Sequence, residues 1–174
     1  MFDQFVQETT VFIREHEAWA APIVLILAFC ESVAVVSLLV PATVILLAVG
    51  VLIGSTGITF WPVWAAATVG ATLGDWLSYA VGLRFRHRVA QVWPLSRFPD
   101  LVPRGQAFFM RWGTAGVFMG RFFGPLRASV PLAAGMCGMP ALPFQLANLS
   151  SAIVWATAIL APGVWGTRWI QGWF

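Results

Sequence analysis

The chain is poor in charge. Asp, Glu, Lys and Arg make up 10% of its 174 residues, against roughly 25% in soluble domains. That excludes an ordinary soluble domain. Lysine is absent, and all ten basic residues are arginine. No basic run interleaves with exposed, stackable aromatics, so nucleic acid is not an expected partner. Cysteine is scarce: Cys30 and Cys137 stand alone in apolar runs and read as small buried hydrophobes. His16 and His87 have no Cys, His or carboxylate at ligand spacing, so neither a metal nor another cofactor is expected. No nucleophile and base sit together, which argues against an enzyme. A cleavable signal peptide would begin with positive charge, whereas Asp3, Glu8, Glu15 and Glu17 precede the first apolar run.

What is present fits lipid. Hydrophobic residues make up 59% of the chain, with ten tryptophans of the kind that anchor at membrane interfaces. The expectation is one all-α integral membrane domain over residues 1–174.

Residues 2–16 read as an interfacial helix, with Phe2, Phe5, Val6, Thr9, Phe12 and Ile13 recurring at three- and four-residue spacing. Trp19 to Gly54 is apolar throughout, too long for one span and short for two full ones, and is interrupted by Glu31 and Pro41. A re-entrant hairpin is the preferred reading; a full span followed by a half-span is the alternative. Gly54-Ser55-Thr56-Gly57 reads as a turn. Residues 62–83 read as a full span. Ala66, Gly70, Gly74, Ser78 and Gly82 form a ridge of small residues along it, which lets another helix approach closely. Asp75 lies beside that ridge and is expected to face protein.

Six arginines between Arg84 and Arg111 face one acid, Asp100. The positive-inside rule places this segment in the cytoplasm. Residues 104–112 are expected to form a short interfacial helix. Residues 114–139 again comprise two apolar arms around a proline, and 143–166 the last span, ending at Trp165 and Gly166. The plan therefore repeats: half one over about 1–83, the basic loop over about 84–112, and half two over about 113–174. Each half is an interfacial helix, a Pro-broken re-entrant hairpin and a full transmembrane helix. Broken apolar segments at corresponding positions of two halves point to a transporter site. The two ends of the chain are then both expected outside the cytoplasm.

The second broken segment carries Arg121-Phe122-Phe123-Gly124-Pro125-Leu126-Arg127. On one straight helix, residues six apart would point to different faces. Pro41, Gly124, Pro125 and Pro131 read as helix breaks, and a break between the arginines lets both turn toward one point. Glu31, Asp75, Arg121 and Arg127 are the ionisable residues inside apolar segments. Each costs about 2.5–3.5 kcal/mol at a helix centre on translocon scales. Two readings account for them. In one, two internal salt bridges hold the arms together. In the other, Arg121 and Arg127 bind an anion, helped by the bidentate fork that suits phosphate, while a carboxylate binds or releases a proton. Glu31 is expected near the arginines, and Asp75 is equally architectural or functional.

The Arg121–Arg127 motif, followed by Val130-Pro131-Leu132-Ala133-Ala134-Gly135-Met136, resembles the DedA family of bacterial membrane proteins, also called the SNARE-associated or VTT domain family. Glu31-Ser32 with Leu38-Leu39-Val40-Pro41-Ala42-Thr43, and Gly74-Asp75-Trp76 through Tyr79 and Gly82, resemble two further family segments. The likeness covers about residues 20–166. It implies an inner-membrane protein that moves lipids, such as undecaprenyl phosphate or a phospholipid, as a flippase or scramblase. It also implies that Glu31, Arg121 and Arg127 match functional residues. Thr43 departs from the family, many of whose members carry Asp or Glu there, and Ala42 replaces a usual Gly. With one such acid missing, proton coupling is weakened more than anion binding; Thr43 remains a candidate proton or structural partner. An exporter of small ions or solutes and a non-transporting membrane-integrity scaffold are the alternative functions.

Overall fold

A computed structural model of the chain describes residues 17–33, 42–89, 101–123, 127 and 129–171. Among these, every regular element is a helix. The helices are α1 Glu17–Ser32, α2 Ala42–Thr56, α3 Phe60–Val89, α4 Leu101–Gly120, α5 Ser129–Met136 and α6 Ala141–Gln171.

Lengths separate them into two kinds. α1 has 16 residues and α2 has 15, about 24 and 22 Å at 1.5 Å per residue. Crossing a bilayer core takes about 20 residues, or about 30 Å. α5 is shorter still, at eight residues. α3 and α6 are long, with 30 and 31 residues. Only Ala141–Gly166, within α6, is both long and apolar enough to cross a membrane among the described residues. α3 therefore differs from the expectation for 62–83. It is long enough, but its glycines, alanines and hydroxyl residues make it less apolar than a helix facing lipid all round.

Those small residues serve packing. Ala66, Gly70, Gly74, Ser78 and Gly82 are all buried. A Cβ on Gly70 would collide with the Leu25 carbonyl of α1, and one on Gly74 would lie 2.6 Å from the Phe29 carbonyl. The ridge thus seats α1 directly on the backbone of α3. α5 packs on α3 further along, α2 packs on α6, and α4 packs on both α5 and α6.

Two apolar cores result. Val24, Leu46, Val63, Ala71, Ala156 and Leu160 belong to one, built from α1, α2, α3 and α6. Tyr79, Val117, Ala134, Met139, Phe144 and Ala147 form the other, around α3, α4, α5 and α6. Tyr79 stacks on Phe144 and donates to the Met139 carbonyl at 2.5 Å. The long helices α3 and α6 run through both cores. Outward, Ile26, Val44, Trp61, Leu142, Leu146 and Val154 are exposed. Apolar surface of that extent marks contact with a membrane or partner.

Several local expectations need correcting. The helix does not end at Gly54: α2 runs through Thr56, and the Ser55 and Thr56 hydroxyls bond back to the Leu52 carbonyl. The turn comes at Gly57, whose φ of 78° favours glycine. The helix expected over 104–112 is present, starting at Leu101 and ending at Gly113, where φ is 48° and ψ is −125°; α4 is this helix and a second one joined across that kink. That backbone suits glycine, having no Cβ to clash. Pro131 does not break a helix; it sits in the first turn of α5, where backbone N–H groups lack intrahelical acceptors anyway. The last helix continues past Gly166 to Gln171, through Pro162. The expected interfacial helix up to residue 16, and the breaks at Pro41, Gly124 and Pro125, lie outside the described residues.

Candidate functional site

Between the two cores lies a polar layer built at helix ends. α1 contributes Glu31 and Ser32 from its last turn, and α2 contributes Thr43 from its first. α4 closes at Gly120; the Phe122 and Phe123 amides then bond three residues back, which sets Arg121 in a tight turn. Arg127 stands two residues before α5. The long helices contribute from their bodies: Thr72, Asp75 and Ser78 from α3, and Asn148, Ser151 and Trp155 from α6. The α6 set follows three- and four-residue spacing and lines one face; on α3, Asp75 stands three residues from Ser78 and from Thr72, which offers its carbonyl.

Arg121 is enclosed, at 4% exposure. Its Nη2 pairs with Asp75 Oδ2 and donates to Asn148 Oδ1 at 2.7 Å, while Nε donates to Ser151 Oγ at 3.0 Å. Asn148 is itself fixed, its Nδ2 donating to the Thr72 carbonyl at 3.0 Å and to Gln145 Oε1 at 3.2 Å. The Ser151 hydroxyl donates to the Asn148 carbonyl at 2.9 Å. One guanidinium thus ties α3 to α6.

Arg127 is held differently. Nη1 donates to Glu31 Oε1 at 2.6 Å, and Nη2 reaches Ser32 Oγ at 3.4 Å. Thr43 donates its hydroxyl to the same Glu31 oxygen. The guanidinium carbon lies 4.5 Å from the Trp155 ring centroid. The Ser78 hydroxyl donates to the Ser32 carbonyl at 3.3 Å, fixing the end of α1 on α3. The two ion pairs are linked through Ser78, three residues from Asp75, whose hydroxyl meets the carbonyl of Ser32 beside Glu31. Among the described residues, Glu31 Oε2 and Arg121 Nη1 are buried without a hydrogen-bond partner.

The structure therefore brings Glu31, Thr43, Asp75, Arg121 and Arg127 into one layer. Glu31 reaches Arg127, and Asp75 faces protein and pairs with Arg121. Each guanidinium is matched by its own carboxylate. The sequence reading passed over Ser32, Thr72, Asn148, Ser151 and Trp155 as site residues. The spacing of Asn148, Ser151 and Trp155, at i, i+3 and i+7, was the available signal for three of them.

The family profile described as the VTT domain matches residues 40–164. The inner membrane protein YabI of Escherichia coli (strain K12) is 32% identical over 153 residues, covering 88% of this chain and 60% of that protein. A membrane protein of Buchnera aphidicola subsp. Acyrthosiphon pisum, BU139, is 31% identical over 155 residues, covering 89% of this chain and 60% of that protein. The inner membrane protein YghB of Escherichia coli (strain K12) is 30% identical over 137 residues, covering 78% and 62%. The chain thus spans about 60% of the length of the first two of these relatives. No solved structure matches it at a significant level. With the profile covering 40–164, which takes in Thr43, Asp75, Arg121 and Arg127, this chain belongs to the VTT domain family, the DedA family of membrane proteins.

Proposed function

We propose that the protein moves a phosphate-bearing lipid, such as undecaprenyl phosphate or a phospholipid, across the bacterial inner membrane as a flippase or scramblase. The observation that carries this is the pair of arginine–carboxylate contacts between two apolar cores, where α1 and α4 end and α2 and α5 begin. A phosphate competes naturally for a guanidinium already held by a carboxylate, because both anions accept the same parallel hydrogen bonds. The tail stays outside, against the exposed Val, Leu and Ile side chains. Asp75 is the carboxylate that would bind and release a coupled proton, with Thr43 as a hydroxyl partner beside Glu31.

The arms are read as re-entrant, and the halves as related by a two-fold. Support comes from the short lengths of α1 and α2, whose ends meet through Glu31 and Thr43. The packing exchanges partners in the same sense: α1 lies on α3 and α2 on α6, while α4 lies on α6 and α5 on α3. Protein reconstituted in vesicles should accelerate reduction of a headgroup-labelled phosphate lipid from the inner leaflet by an impermeant reductant. A rate equal to that of protein-free vesicles would overturn the transport reading.

A multi-pass arrangement follows, with the arginine-rich segment in the cytoplasm and the α2–α3 connection outside. Met110, 88% exposed, and the exposed Ser55 are the probe positions. With Cys30 and Cys137 replaced, an impermeant thiol reagent should label Ser55→Cys in spheroplasts and spare Met110→Cys until lysis. The reverse pattern inverts the orientation.

The pairing of both arginines also favours a second reading, the membrane-integrity scaffold. There, every substitution in the layer lowers stability and function together.

A further inference from the structure

We infer that Trp155 is a positioning residue that keeps Arg127 in place while its edge exchanges Glu31 for the ligand anion. This rests on the phosphate-lipid reading above.

The argument starts from how the two arginines differ. Arg121 is gripped at its edges by three side chains from the two long helices. Were Asp75 displaced, Asn148 and Ser151 would still hold it. Among the described residues, Arg127 has edge contacts to α1 alone: Glu31 at 2.6 Å and a long bond to Ser32 at 3.4 Å. An incoming anion competes for those same edge donors. Its other anchor is the face of Trp155 on α6. A face contact needs none of the N–H groups, so it persists whichever anion sits at the edge. Indole is the strongest aromatic partner for a cation, and the contact strengthens when desolvated. Trp155 is 5% exposed, so water screens it little. Its site on α6, beside Asn148 and Ser151, ties Arg127 to the helix that also holds Arg121. Without the ring, a guanidinium released from Glu31 would keep, among the described residues, only the Ser32 hydroxyl, and would lose its aim.

The test uses the full-length protein in detergent, titrated with dioleoyl phosphatidic acid and, as control, dioleoylglycerol, with thermal stabilisation as the readout. Trp155→Leu should raise the half-saturating phosphatidic acid concentration roughly tenfold, the scale of a desolvated cation–π contact. Trp155→Phe, which restores a ring face, should recover most of that loss. Unchanged half-saturation in Trp155→Leu overturns the inference while leaving the transport reading intact. A wild-type protein indifferent to phosphatidic acid sinks the transport reading and the exchange role together. A double-mutant cycle in unfolding, pairing Trp155→Leu with Arg127→Met and run without lipid, checks the hold itself. Non-additive shifts are expected, and strict additivity would show that the ring does not hold the arginine.

Discussion

Asp75→Ala is expected to be the most damaging single substitution in the polar layer, and Arg121→Met added to it should restore much of the loss. Asp75 and Arg121 are both buried, with side chains 8% and 3% exposed. Removing one partner leaves the other as an uncompensated charge, which costs about 3–5 kcal/mol. For a chain of this size that corresponds to a fall in Tm of about 10 °C. Asn148 and Ser151 soften the loss without cancelling it, because neutral oxygens do not neutralise a guanidinium. Taking out both charges removes the penalty at its origin. Most of the groups left behind keep partners: Asn148 still donates to Thr72 and Gln145, and Ser151 to the Asn148 carbonyl, while Asn148 Oδ1 gives up its donor, so the recovery is incomplete. Thermal unfolding in detergent, followed by size exclusion, measures both variants. A Tm for Asp75→Ala within a degree or two of wild type would mean that the pair does not hold α3 to α6. A double variant no better than the single would place the loss in packing.

Much of this layer was legible before any geometry. Charge inside an apolar chain is conspicuous, so Glu31, Asp75, Arg121 and Arg127 stand out by cost alone. The glycine ridge was legible for a similar reason: a four-residue period of small side chains has one use, close helix approach. Which carboxylate meets which arginine was not legible. That depends on where α1 seats along α3, fixed by carbonyls meeting Gly70 and Gly74, and no local pattern encodes the register. Pro131 misled because proline starts a helix as readily as it ends one, and only position within the turn distinguishes the two. Trp155 was hidden among ten tryptophans, whose usual place is the membrane interface. The turn after α2 shifted because hydroxyls at Ser55 and Thr56 bond back to Leu52, extending a helix that composition alone would stop.

The Lys substitutions should separate the two arginines. Lysine keeps the charge but concentrates its donors on one nitrogen, without the planar fork. At position 121 the native contacts need donors at separate points: Nε for Ser151, Nη2 for Asp75 and Asn148. One ammonium does not reach them all, and each lost charge-assisted bond is worth about 1.5–3 kcal/mol. Arg121→Lys should therefore lose stability and transport together. At position 127 a lysine still faces Glu31 and still lies over Trp155. Its fold should survive with a change in Tm of only a few degrees, since one ion pair and one ring contact remain. Bidentate capture of a phosphate is what it gives up. Arg127→Lys should therefore stay folded yet lose roughly tenfold or more in lipid transport, as expected when a two-point contact becomes a point charge. The decisive comparison is transport per folded protein, in vesicles loaded with equal amounts of monodisperse material. If Arg127→Lys transports at the wild-type rate, Arg127 does not grip phosphate through its fork. If it instead unfolds alongside Arg121→Lys, both arginines are braces, and the scaffold reading takes the place of transport.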